Sequence, residues 1–242
     1  MNIIKLSAIN STNDYLKKLM NTQHVENFTV VVAECQTEGR GQMGSVWFTE
    51  EGKNLTFSIL IKDLLLDINA IFTLNAAIAV SVVHALESLS IPGLAIKWPN
   101  DILAEGKKVA GILIENSIKK GGEIFSVVGI GLNVNQLDFN GLPKASSLQK
   151  ITGKEYDKDE VLFAIITSIK RNIAALANKN DQTIWETYHQ LLFKQGMPMP
   201  FESRGKQFMG IIKGVTNTGH LEVLLEDNSI ATFGIKEVQL LY

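Results

Sequence analysis

Short apolar, β-branched runs separated by tight turns constrain this chain more than any other feature, because strands joined by two residues pair only antiparallel. Glu105-Gly106 is such a turn, set between runs at residues 101–104 and 108–115, and Gly121-Gly122 leads into a run over 123–135. Further runs lie at 3–6, 28–35, 54–61 and 94–98. Pro99 interrupts the last of these before Asp101, and a proline in a strand region needs an edge or a bulge.

Between these runs the pattern turns helical. Ser11-Thr12-Asn13-Asp14 opens a helix reaching about Asn21, with a hydroxyl cap and an acid in its first turn. Residues 161–176 carry helical periodicity, and 183–192 form another helix. The most apolar long segment, 68–89, is interrupted by Asn69, Asn75, Ser81, His84, Glu87 and Ser88. A membrane span needs about 20 residues almost free of such groups, so this segment reads as a buried core helix. Hairpins with interspersed helices predict an α+β fold, a mainly antiparallel sheet covered by helices. From Gly196 the texture changes to short alternating strands, with turns at Asn217-Thr218-Gly219 and Asp227-Asn228. That pattern predicts a small C-terminal β-barrel, so the expected domains are 1–194 and 195–242.

The 242 residues suit one large domain plus a small one, and a 45% hydrophobic content supports a substantial core. With 23 basic and 25 acidic residues the formal charge is −2, which argues against wrapping DNA or lying on an anionic membrane. Cys35 is the single cysteine, so no intramolecular disulfide forms, and the four histidines lack metal-ligand spacing. Both facts suit a reducing, cytoplasmic setting. The first residues lack the long apolar stretch of a signal peptide.

Four segments could carry chemistry. Gly39-Arg40-Gly41-Gln42-Met43-Gly44, followed by Trp47, can bring backbone amides and an arginine fork close to an anion. It lacks both the Gly-Lys-Ser/Thr ending of a Walker loop and the following helix of a dinucleotide fingerprint. Lys97-Trp98-Pro99-Asn100-Asp101, with Lys107-Lys108 after the turn, could gather charge around a triphosphate and its magnesium. Gly129-Ile130-Gly131-Leu132-Asn133 could mark a close approach by a ligand. Ser11-Thr12-Asn13 could meet a polar head group at a helix N-terminus. Taken singly, each is also readable as an ordinary surface loop, a solvated hairpin, a strand bend or a helix cap. Trp47, Trp98 and Trp185 read as packing residues before stacking platforms, with Trp47 the first of the three to be given a ligand role, and Cys35 reads as a buried structural thiol.

In this order, and with Gln36-Thr37-Glu38 before the loop and Lys108-Val109-Ala110-Gly111-Ile112-Leu113-Ile114-Glu115 after the turn, the segments resemble the biotin protein ligases. The likeness runs in motifs from about Ser7 to Asn135 and in layout through 196–242. It implies a catalytic domain of the class II synthetase and biotin ligase kind. It also implies a two-step reaction, with biotin and magnesium ATP giving biotinyl-5′-adenylate, then biotin passing to a lysine of a biotin carboxyl carrier domain. By the same resemblance, Ser11, Thr12, Asn13 and Gln36 would hold the biotin head. Arg40, Gly41 and Gln42 would cover biotin and the adenylate, and Lys108 would meet the biotin carboxylate and α-phosphate. Lys108 and Arg40 are thus the expected catalytic pair. Gly39, Trp47, Lys97, Asn100, Asp101 and Asn133 would serve the nucleotide, with Asp101 also serving the metal.

Many members carry an arginine where this chain has Gln42, which keeps hydrogen-bonding capacity but loses the charge. Members that repress transcription have an N-terminal helix-turn-helix domain, whereas here the motifs begin at Ser11, so the expectation is a ligase without DNA binding. Exposed sheet edges are compatible with a homodimer. The rivals are a lipoate ligase or octanoyltransferase, and a non-catalytic biotin sensor. The Gly-Arg-Gly loop with Trp47 and the C-terminal strands favour biotin over lipoate, and a sensor would not need Lys108, Arg40 and Asp101.

Overall fold

The computed structural model describes residues 2–62, 71–118 and 124–242. Seven apolar runs become β1 (Ile3–Ile9), β2 (Val30–Gln36), β3 (Leu55–Ile61), β4 (Leu94–Lys97), β5 (Asp101–Ala104), β6 (Lys107–Ile118) and β7 (Ile124–Leu132). They form one sheet in the order β1-β2-β3-β7-β6-β5-β4. Among the described strands only β1 and β2 pair in parallel, and α1 (Thr12–Thr22) lies in the crossover that a parallel pair requires. Every other neighbouring pair is antiparallel, as the turn signals predict. The Gly121-Gly122 turn and residues 68–70 lie outside the described residues.

Side chains alternate across the strands, and each face has its own cover. Val30, Val32, Ile59, Ile61, Val128 and Ile130 point to the larger core, beneath α2 (Ile71–Ser88), α4 (Lys158–Ala177) and α5 (Gln182–Gln190). Val31, Leu60, Phe125 and Val127 point the other way, toward Leu16 of α1. With both faces covered, β3 is buried along its whole length. The apolar segment preceding Leu89 is the central core helix: Ile78, Val82, Val83 and Leu86 of α2 are fully buried. α3 (Leu148–Thr152) escaped the sequence reading, being a single capped turn with Ser147 at its start and left-handed Gly153 at its end.

The C-terminal strands β8 (Pro198–Ser203), β9 (Lys206–Val215), β10 (Leu221–Leu225), β11 (Ile230–Phe233) and β12 (Gln239–Leu240) form a second sheet, ordered β11-β10-β9-β8-β12. Among the described residues no ladder joins β11 to β12, so the sheet is open where a closed barrel was expected. Its inner residues Phe201, Ile212, Val215, Leu221 and Val223 belong to the same core cluster as α2, which anchors this sheet without closure. Trp98 Nε1 adds a hydrogen bond to the Gly219 carbonyl at 3.0 Å.

Removing three carbons from fully buried Ile78 leaves a void that the surrounding elements close incompletely. Ile78→Ala is expected to lower unfolding stability by about 2–5 kcal/mol, read as a reduced urea midpoint at unchanged slope.

Candidate active site

The functional cavity exists because one face of the sheet changes from bulky to bare. On β7, Phe125 and Val127 pack under α1, but the next two residues on that face are Gly129 and Gly131. Their partners on β6 are Leu113 and Gly111, and Gly111 stands directly opposite Gly131. A Cβ on Gly131 would overlap the Trp47 indole, and one on Gly129 would come 2.5 Å from Asn13 Oδ1. These glycines therefore let side chains lie directly on the backbone floor. The cavity above them has a volume of about 670 Å³, a size typical of small-ligand sites. Trp47 rests on the floor with Lys108 Nζ 5.5 Å from its ring centre, and its buried Nε1 has no hydrogen-bond partner among the described residues.

The positive charge reaches this face through an irregularity. Strict alternation along β6 would send Lys108 to the same side as Ala110 and Ile112, into the core. Instead, Leu103 pairs with Lys108 while Ile102 pairs with Ala110, so Val109 is an extra, bulged residue. The bulge returns Lys108 to the face of Gly111, whose missing side chain lies 3.5 Å from Lys108 Nζ. Asp101 pairs with Gly111 across β5 and β6, and with Lys97 across β4 and β5. Its Oδ1 accepts from Lys108 Nζ at 2.6 Å and its Oδ2 from Lys97 Nζ at 3.4 Å. Two ammonium groups thus share one carboxylate at the cavity wall.

At the α1 end, the Ser11 hydroxyl caps the helix by accepting from Asp14 N. Gln36 Oε1 accepts from the Thr12 backbone amide at 2.8 Å and the Thr12 hydroxyl at 2.9 Å. Ser58 Oγ lies 2.7 Å from Thr12 Oγ1 and 2.5 Å from Asn13 Oδ1. Asn13 Nδ2 donates to Glu115 Oε2 at 2.7 Å, and Lys17 Nζ reaches Glu115 Oε1 at 2.8 Å. Burial raises the Glu115 pKa, but its bonds to Lys17 and Asn13 prevail and hold it below the usual glutamate value. Lys17 also pairs with Asp14, which in turn meets the Arg40 guanidinium.

Ser11, Thr12, Asn13, Gln36, Arg40, Gly41, Gln42, Trp47, Lys97, Asn100, Asp101 and Lys108 all line this one cavity. Asn100 also pins β5 to β6, donating to the Ile112 carbonyl at 2.7 Å. Gly39 is outside the lining and packs against the Trp47 carbonyl. Asn133, expected at the nucleotide, is turned away: it is 4% exposed and donates to the Ser146 carbonyl, holding the end of β7 to the following loop. Cys35 is half-buried, where a buried thiol was expected. The sequence reading missed Ser58 and Glu115, and also Arg204 and Lys236 from the second sheet. Arg204 and Lys236 line the cavity, and Lys236 Nζ donates to the Met43 carbonyl of the glycine-rich loop at 2.6 Å. The pair of hydroxyl residues Thr56 and Ser58 inside the otherwise apolar β3 run was the available signal for Ser58.

Residues 6–135 match the biotin/lipoate A/B protein ligase family. The bifunctional ligase/repressor BirA of Bacillus subtilis is 33% identical over 98% of this chain and 71% of its own length. The chain belongs to the biotin/lipoate A/B protein ligase family. The biotin–[acetyl-CoA-carboxylase] ligase of Mycobacterium tuberculosis is 29% identical over 87% of this chain and 79% of its own. Among solved structures, the biotin protein ligase of Aquifex aeolicus in complex with biotin and ATP superposes with a TM-score of 0.82. It is 29% identical and matches over 99% of this chain and 98% of that one. The family match covers the bare-faced sheet and the charged hairpin.

Gly131→Ala is expected to evict the Trp47 indole from its seat, shifting the ligand-free tryptophan emission to longer wavelength. An unchanged spectrum would contradict the glycine floor.

Proposed function

We propose that the protein is an ATP-dependent biotin protein ligase, which makes biotinyl-5′-adenylate and then biotinylates a lysine of a biotin carboxyl carrier domain in the cytoplasm. The observation that carries this reading is the placement of Lys108 and Lys97, joined through Asp101, in the same cavity as the Thr12, Asn13 and Gln36 cluster. One end offers neutral hydrogen-bonding groups suited to a cyclic urea, and the other offers positive charge suited to a carboxylate meeting a triphosphate. The named relatives support biotin as the acid.

In the first step a biotin carboxylate oxygen attacks the α-phosphorus of ATP, and the bond to the bridging oxygen breaks to release pyrophosphate. Both reactants are anions, so their approach is costly until fixed cations offset it. Lys108 supplies that charge, and Asp101 holds its ammonium in place before the ligand arrives. In the second step the carrier lysine attacks the acyl carbon of the mixed anhydride, and AMP leaves. Arg40 and the loop around it cover the water-labile adenylate between the two steps.

Asp101 would also hold magnesium, which supplies further charge at the phosphates. A lone carboxylate fits that role, because magnesium takes most of its remaining ligands from phosphates and water. Among the described residues there is no cluster of three acids, cysteines or histidines to form a resident metal cage. The outer edge of β1 pairs with no strand among the described residues, which suits addition of a second copy as a homodimer.

The test is incubation with ATP, biotin and a carrier domain, followed by the carrier's mass. A biotinyl increment supports the reading, and modification with lipoate alone would replace it. Lys108→Ala is expected to lower biotin-dependent pyrophosphate release by about 10²–10³-fold with the fold intact. Arg40→Ala is expected to speed dissociation of biotinyl-adenylate by about tenfold to a hundredfold, for loss of charge-assisted hydrogen bonds.

A further inference from the structure

Asn13 is only 4% exposed, and both ends of its amide are engaged. Nδ2 donates to Glu115 Oε2, while Oδ1 lies against Ser58 Oγ and over bare Gly129. The second oxygen of Glu115 accepts from Lys17. An ionised carboxylate has no proton to give, so only the NH2 end of Asn13 can face it. That choice settles the far end: Oδ1 is an acceptor on the cavity side, and Ser58 gives its proton toward it. The Thr12 hydroxyl lies within reach of both Ser58 Oγ and Gln36 Oε1, and with the Ser58 proton given to Asn13 it is Thr12 that donates in either contact. One charge at the end of this chain therefore orders its donors and acceptors.

We propose that Glu115 is a positioning residue for recognition of the ligand's cyclic head, fixing which end of the Asn13 amide faces the cavity. This rests on the biotin ligase reading. Glu115 does not itself line the cavity, and it acts through Asn13, which does. An ion pair with Lys17 alone, with both side chains about a third exposed, would be an ordinary surface contact of small effect. The bond to a nearly inaccessible amide is of a different kind: the Leu113 carbonyl, which also only accepts, lies 3.4 Å from Nδ2, whereas the charged Glu115 oxygen lies at 2.7 Å and sets the orientation more strongly.

Glu115→Gln tests this without changing shape. Glutamine has one oxygen for two donors, and the Lys17 ammonium, which cannot accept, takes it. The glutamine NH2 then faces Asn13, whose amide turns over and presents a donor to the cavity. The expected result is a biotin KM raised about tenfold by one inverted hydrogen bond, with kcat and the KM for ATP within about twofold. Removing the competing donor as well, in the double variant Lys17→Met/Glu115→Gln, frees the glutamine oxygen for Asn13 and is expected to restore the biotin KM. A merely structural role predicts the opposite, since the double variant loses more contacts.

An unchanged biotin KM in Glu115→Gln, or a double variant no better than the single one, overturns the proposal. The Asn13 side-chain amide resonances report on it separately from turnover. They should be protected in the wild type, altered in Glu115→Gln and regained in the double variant, and resonances identical in all three overturn it. Absence of biotin-dependent pyrophosphate release by the wild type would instead defeat the ligase reading.

Discussion

The structure depends on a β-sheet face stripped of side chains at the one place where a ligand must lie. A sheet that is packed on both faces normally leaves no room beside its central strands. Here Gly111, Gly129 and Gly131 remove three side chains from adjacent positions on β6 and β7, while their neighbours Ile112, Val128 and Ile130 still fill the opposite core. The cost in local packing falls on one side only. The rigid body of the sheet is kept, so groups around the bare patch hold fixed positions before any ligand arrives.

Charge is brought to that patch by backbone geometry. The bulge at Val109 is what lets Lys108 share a face with Gly111 and meet Asp101, itself aligned with Gly111 across the next strand. The carboxylate keeps two ammonium groups close to each other and to the cavity, which stores positive charge without leaving it unpaired. At the other end, α1 delivers Thr12 and Asn13 from its first turn, and β2 delivers Gln36 from its last residue. The second sheet completes the enclosure, with Lys236 tethering the glycine-rich loop.

Much of this was legible in the sequence because turns and glycines act locally. The Glu105-Gly106 hairpin, the capped start of α1 and the apolar strands follow from residue chemistry alone, and the order of motifs placed twelve of the expected residues on one cavity. What was not legible depends on register and on contacts distant in sequence. Simple alternation would bury Lys108, and only the pairing with β5 reveals the bulge. Asn133 continues the alternation of Gly129 and Gly131, but β7 ends at Leu132 and the chain turns its amide toward Ser146. Glu115 and Ser58 acquire meaning only through Asn13, which is 102 residues from the first along the chain and 45 from the second. The closed barrel expected at the C-terminus failed because the second sheet covers its apolar face by docking on the main core.

The central claim is that Lys108, re-aimed by the bulge, stands where two anions are joined. A crystal structure with biotin and a non-hydrolysable ATP analogue tests it directly. The account predicts Lys108 Nζ within hydrogen-bonding reach, about 3 Å, of both the biotin carboxylate and the α-phosphate. A Lys108 side chain directed away from that junction, with another cation in its place, would contradict it.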